Sequence, residues 1–370
     1  MLTKFDELTC HQIASTFDHP DTSDRAWTEK LWMNVHDTRG EVVLALGFGV
    51  YPNRNVMDGY ACLNLANRAQ TNLRLSRELR PRLDELALGP LSWEVLEPFR
   101  RVRVRLGENR SGLRFELDFL GRFEPGEEQP HFGRSRGRVF VHHCRYAQLG
   151  RAEGWVELDG QRIALEPERH YAQRDHSWGV RMGVGAPEQG VQAQDIDTFS
   201  HMLINWVTLQ FEDRALNAYL IEKADGRIER LTGKLCRPLG DPRPPVELTS
   251  FEHDWVYHPA SARMASGQAR LGFEDGTRLA IDMRELTCMY LRGGGYVGVK
   301  GFTHGSWQGP EWADGERWEV GDASVADEVH GLDDTVVECR ADGQLGYGIV
   351  ENMILGPFPR YGFEGFGFNR

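Results

Sequence analysis

The stretch Arg174–Arg181, RDHSWGVR, holds the residue types from which acid–base chemistry on an apolar substrate can be built. Side chains of a strand alternate between faces, so a strand here sends His176, Trp178 and Val180 to one side and Asp175, Ser177 and Gly179 to the other. A histidine titrates near neutral pH, and an indole offers a large π surface. Side by side on an inward face, the two suit proton transfer to an apolar substrate, the ring stabilising a developing cation. The alternative is structural, with Trp178 filling a barrel core and His176 bonded to a neighbouring loop. Asp175 can orient His176 only where a turn distorts the strand end.

Further segments point to a lined cavity. Met202–Phe211 (MLINWVTLQF) carries Asn205 and Trp206 inside an otherwise apolar strand. In GYGIVEN, Glu351 shares a face with Tyr347 and Ile349. A carboxylate on an apolar face either pairs with a cation or has a raised pKa, as catalytic acids do. Gly293–Asp322 holds Tyr296, Phe302, Trp307, Trp312 and Trp318 among many glycines. It reads as a long loop that either closes over a site or packs on the rim of its own barrel.

Other motifs fail their context. GGGYVG at Gly293–Gly298 satisfies GxGxxG, yet no helix follows to hold a pyrophosphate. GRSRG at Gly133–Gly137 satisfies GxSxG, but strand-like RVFVHH follows in place of the helix of a nucleophile elbow. His142 and His143, adjacent on a strand, face opposite ways, as do His253 and His258. No HxH, HExxH or Cys/His spacing appears, so neither a metal site nor a cofactor is expected.

Composition narrows the partners. With 43 Lys+Arg against 55 Asp+Glu, the formal charge of −12 argues against nucleic acid, and Arg134, Arg136 and Arg138 read as a surface cluster. The longest apolar run, Val42–Tyr51, is half of the roughly 20 residues a membrane-spanning helix needs. The N-terminus has neither the basic nor the apolar region of a secretory leader. Six widely spaced cysteines read as thiols in a reducing compartment, which places the protein in the cytoplasm. The composition leaves room for a homodimer.

The elements that would position these residues are strands. Asp-Gly flanked by alternating apolar residues signals a hairpin. It recurs at Asp159-Gly160, Asp225-Gly226, Asp275-Gly276 and Asp342-Gly343. Strand-like runs also cover Lys30–His36, Glu41–Val50, Arg101–Leu106, Leu113–Leu120, Val139–His143, Met202–Phe211 and Asp254–His258. Helical spacing in Ser76–Leu86 is interrupted by Pro81. Phe123–Arg138, Met182–Asp197, Arg237–Pro245 and Gly293–Asp322 read as loops. The pattern is all-β, of sandwich or barrel type, and the second loop divides it into domains 1–184 and 185–370.

DHSWG, followed by the Trp-bearing strand INWVTLQF and the Tyr-bearing hairpin NAYLIEKADGRIERL, resembles the carotenoid 1,2-hydratase (CrtC) and AttH-like group. The resemblance implies two lipocalin-like antiparallel β-barrels in tandem, with a pocket in or between them for a large hydrophobic ligand. It matches His176 and Trp178 to the hydratase motif, and Trp206 and Tyr219 to residues beyond it. Those hydratases also use a Tyr and an Asp shortly after the motif, and Asp213, in the turn-like run Glu212–Arg214, is the available carboxylate. The implied activity is that of a cofactor-independent lyase or isomerase acting on a terpenoid, steroid or aromatic substrate. His176, Asp175 or Glu351 would supply the acid–base chemistry, and Trp178, Trp206, Tyr219 and Asn205 would line the pocket. A non-catalytic carrier of an apolar ligand and a cyclase that folds a long substrate stand as alternatives.

Overall fold

The computed structural model describes residues 1–186, 188–192, 201–259 and 261–365. The four Asp-Gly pairs each turn a hairpin. Asp159 with Gly160, and Asp342 with Gly343, hold positive φ at both central positions, as a type I′ turn requires. At the other two, only Gly226 and Gly276 are left-handed.

Strands dominate the fold, which is all-β and lipocalin-like. In chain order, the first group is β1 (Trp27–Asp37), β2 (Val42–Tyr51), β3 (Val56–Leu65), β4 (Ala69–Glu78), β5 (Ala87–Leu88), β6 (Leu91–Glu97) and β7 (Arg101–Leu106). It continues with β8 (Leu113–Gly121), β9 (Gly126–Glu127), β10 (His131–Ser135), β11 (Arg138–Leu158), β12 (Gln161–Leu165) and β13 (His170–Val180). The second group is β14 (Met202–Gln210), β15 (Ala215–Lys223), β16 (Ile228–Cys236), β17 (Val246–Tyr257), β18 (Met264–Phe273) and β19 (Arg278–Tyr290). After it come β20 (Glu311–Trp318), the short helix α1 (Ala323–Val329), β21 (Asp333–Ala341) and β22 (Gln344–Leu355).

The first group forms a curled antiparallel sheet in the order β20-β4-β3-β2-β1-β13-β11-β8-β7-β6-β5. The second forms a closed barrel, β14-β15-β16-β17-β18-β19-β21-β22, in which β22 returns to pair with β14. The edge strand β20 comes from the later half of the chain: after β19 the backbone crosses over, pairs with β4 and returns through α1 to β21.

Two expected loops therefore contain strands. Phe123–Arg138 holds β9 and β10, and Gly293–Asp322 holds β20. Neither shows apolar alternation, and the reason is visible for β20. Its Asp314 and Glu316 side chains bind the fully buried guanidinium of Arg74, with contacts of 2.7–3.1 Å. One face of the strand is thus built on ion pairs. The Ser76–Leu86 segment is the end of β4 followed by turns, with no helix. Residues 193–197 of the second expected loop lie outside the described residues. Among the described residues, no helix is long and apolar enough to cross a membrane.

Among the described residues, the three largest apolar clusters hold the two bodies together. Met33, Val35, Leu44, Leu46, Phe115 and Leu117 fill the concave side of the first sheet. Leu203, Val207, Leu220, Ile281 and Val350 fill the closed barrel. The third cluster lies between them, where Trp32, Tyr60 and Cys62 on the outer face of the first sheet meet Trp206, Met289, Val336 and Ile349 of the barrel. Burying an aromatic or large aliphatic side chain contributes roughly 1.5–3 kcal/mol. The seam therefore fixes the two bodies against each other, and it also buries Lys30, Asn34 and His36, which alternate with apolar residues along β1.

Candidate active site

The seam is built from facing rows of side chains set by strand register. On the barrel, Tyr219 (β15), Trp206 (β14), Glu351 (β22) and Asp334 (β21) stand directly opposite one another in sequence across four strands. Opposed residues place their Cβ atoms about 4.5–5.5 Å apart, so these four form one continuous strip. On the first sheet, Arg145, Ser177, Lys30, Gly49 and Asp58 form one row, and Ala147, Asp175, Trp32, Gly47 and Tyr60 the next. Gly49 is required where it stands, since a Cβ there would lie 2.2 Å from the Tyr51 hydroxyl and 2.7 Å from Asp58 Oδ1.

Buried charges in the seam are arranged around two centres. Arg145 donates to Glu128 through Nε and Nη2, at 2.9 and 2.8 Å, and lies 3.8 Å from Asp175. Its guanidinium also stacks over the rings of Trp206 and Tyr219, and Trp206 Nε1 donates to Glu128 at 3.0 Å. Burial disfavours this cation, but Glu128 and Asp175 more than compensate, so Arg145 stays charged. The second centre is Lys30, whose Nζ is 2.6 Å from His304 Nδ1 and 4.1 Å from the centre of the Tyr296 ring. Beside it, Asp58 accepts from the Tyr51 hydroxyl at 3.1 Å and from the Gly305 N–H at 2.6 Å.

Low polarity then brings ordinary side chains into the neutral range. Burial pushes the Glu351 carboxyl up to about 7; Arg145 opposes the shift and the Asp175 carboxylate adds to it. Burial likewise raises Asp58 to about 7, against the Gly305 N–H and Lys30. It lowers Lys30 to about 7, helped by Arg181 and opposed by Asp58, Asp175 and Glu351. Asp175 is raised by burial despite Arg145 and Arg181, and Asp334 by burial and the neighbouring Glu351. Asp334 accepts from Asn34 Nδ2 at 3.0 Å. The Glu351 carboxyl group has no hydrogen bond or ion pair among the described residues, and the residue retains some accessible surface, as do Tyr219, Tyr296 and Arg181.

The residues singled out from sequence fall into three places. Asp175, Glu351, Trp206 and Tyr219 meet in the seam. His176 and Trp178 share the other face of β13, as strand alternation requires, with rings 5.3 Å apart and His176 Nε2 3.4 Å from Glu29 Oε2. Trp178 is 39% exposed there, so it is not a core filler. Asp175 does not orient His176, because β13 is regular at this point and the two side chains leave opposite faces. Asn205 points into the closed barrel, where it accepts from Asn352 Nδ2 at 2.7 Å. Asp213 is exposed in the turn between β14 and β15, far in the fold from the seam strip.

Lys30, Asp58, Glu128, Arg145 and Asp334 were not singled out from the sequence, and Tyr296 was named only among the aromatics of the Gly293–Asp322 segment. On β1 the signal was present as alternation, Lys30-Trp32-Asn34-His36, but such a face reads as water-facing until a second body covers it.

This arrangement defines a class: a lipocalin-like pair of β bodies whose titratable groups are enclosed where the two meet. The chain belongs to a family of unknown function, DUF8625, whose model matches residues 2–364. None of the curated proteins matches it. A solved structure from Nitrosomonas europaea described as AttH is similar over 88% of this chain and 92% of its own, with 13% identity and a TM-score of 0.51. CghA bound to Sch210972 is similar over 90% and 89%, with 9% identity and a TM-score of 0.51. Kievitone hydratase of Nectria haematococca gives 88% of each chain, 10% identity and a TM-score of 0.49. The first two likenesses establish the shared fold.

Proposed function

We propose that the protein is a cofactor-independent lyase or isomerase, hydratase- or dehydratase-like, acting by acid–base chemistry on a hydrophobic unsaturated substrate in the seam. The observation that carries this is Glu351. A carboxyl group with a pKa near 7 and no internal partner among the described residues, flanked by Trp206, is suited to give up and recover a proton at neutral pH.

In the hydration direction, protonated Glu351 donates its proton to an alkene carbon. The cation that develops on the neighbouring carbon is held against Trp206, Tyr219 and Tyr296, whose π faces favour positive charge. Water adds to that carbon, and its surplus proton passes to Asp175 or back to Glu351, so that the protein ends with the protons it began with. Dehydration is the reverse. Loss of a different proton from the cation gives an isomerised alkene. Arg145, locked by Glu128, supplies a fixed positive charge that partly offsets the burial of Asp175.

The test is mass spectrometry of a terpenoid, steroid and aryl-alkene panel incubated in ¹⁸O-labelled water with wild-type protein and Glu351→Gln. A labelled hydrate, or water loss from an alcohol, that falls by about 10²–10⁴-fold in the variant is expected for a lost general acid. Binding with no change in mass or in chromatographic behaviour would leave a carrier and overturn the proposal. An isobaric product of changed retention would indicate isomerase or cyclase chemistry.

A further inference from the structure

A groove of about 700 Å³ opens beside the end of β13, and four arginines line it: Arg25, Arg54, Arg138 and Arg181. Among the described residues, two carboxylates, Asp24 and Glu188, share its wall, in a chain whose formal charge is −12. Apart from Gln192 and glycines, the remaining wall is apolar, including Val139, Val180 and Met182.

Three of these guanidinium groups are positioned by neutral partners. Arg54 donates through Nε to the Arg25 carbonyl at 2.8 Å and through Nη2 to the Val184 carbonyl at 3.0 Å. Arg138 donates to the Gln192 carbonyl, and Arg181 donates through Nη1 to Ser177 Oγ at 2.7 Å. Among the described residues, Arg54, Arg138 and Arg181 form no ion pair, and the contact of Arg25 with Glu188 is a long 3.9 Å. A guanidinium offers five N–H donors in a planar fork that matches an oxyanion. Carbonyls that take one or two of these donors aim the group without neutralising it.

Arg181 connects the groove to the seam. Its partner Ser177 lies in the seam row between Arg145 and Lys30, and its charge acts on Asp175, Glu351 and Tyr296. Arg181 is therefore shared by the groove and the seam face of β13, which sets the charged end of a molecule bound among the four arginines beside the seam.

We propose that this groove binds the oxyanion head, carboxylate or phosphate, of an amphipathic substrate whose apolar body extends into the seam between the two β bodies. The proposal rests on the seam as the reaction site, but it is read by binding alone.

Isothermal titration with farnesol, farnesoic acid and farnesyl phosphate tests it on the full chain. Charge-assisted hydrogen bonds make the two anions bind about 10–100-fold more tightly than the alcohol. Whichever anion binds more tightly identifies the head group. In the double variant Arg25→Gln/Arg138→Gln this preference falls at least tenfold while farnesol affinity and the circular dichroism spectrum are unchanged. Equal affinity for alcohol and anions, failure of all three to bind, or a preference that survives both this variant and Arg54→Gln would overturn the proposal. An intact anion preference together with full turnover in Glu351→Gln would instead remove the proposed chemistry and leave the groove standing.

Discussion

Asp175 and His176 are neighbours on one strand, yet they occupy opposite electrostatic settings. Asp175 enters the seam, where burial raises its pKa and Arg145 stands 3.8 Å away. His176 faces the other side of the sheet, partly open to water beside an exposed glutamate, Glu29. Of the two, the carboxylate and not the imidazole is the group this fold encloses. Enclosure between two apolar bodies moves carboxylates and a lysine toward the neutral range.

The contrast is broken most directly by replacing one group on each face. Glu351→Gln is expected to lower turnover by about 10²–10⁴-fold, whereas His176→Ala should lower it less than threefold, as single-turnover rates on the identified substrate will show. A large loss in His176→Ala would move the chemistry to the other face of β13.

The next largest effect is on stability. Arg145→Met leaves Glu128 and Asp175 buried without their cation, and breaking a buried pair in this way costs about 3–5 kcal/mol. Denaturant unfolding should show the midpoint falling accordingly. The same measurement on Trp178→Ala, which removes a partly exposed ring, should show a change within about 1 kcal/mol.

A subtler test uses pH. The folded carboxyls of Glu351 and Asp58, raised from ordinary values of 4.5 and 3.8 to about 7, hold protons that the unfolded chain has released. Their contribution to stability is fully present below about pH 4 and is lost as pH rises through 7. Lys30, lowered from 10.5 to about 7, has the opposite sign: its contribution is present above about pH 10.5 and is lost as pH falls through 7. In a calorimetric series, Glu351→Gln should therefore melt a few degrees higher than wild type at pH 8 and no higher at pH 5.

Much of the fold was legible because its signals are local. The Asp-Gly turns are dictated by backbone sterics, and the strands flanking them by alternation, so the hairpins at Asp159, Asp225, Asp275 and Asp342 formed where expected. The strand β20 was hidden because its faces carry Asp314 and Glu316 for Arg74, a partner more than 230 residues away in sequence. The candidate site was half legible. Trp206 and Glu351 stood out as unusual residues on apolar strands, and Tyr219 followed from the family resemblance. Asn205 was grouped with its neighbour Trp206, but a period of two sends it into the barrel.

Sequence alone determined the period, the turns and therefore which residues share a face: His176 with Trp178, Glu351 with Ile349. Tertiary structure decided which of those faces meets water. The outer face of the first sheet, with Lys30, Asn34, Asp58 and Arg145, has the polar pattern of a solvated surface. It becomes a buried seam of titratable groups only because the closed barrel packs against it. Alternation records that a side chain leaves one side of the sheet, and it carries no information about what waits there.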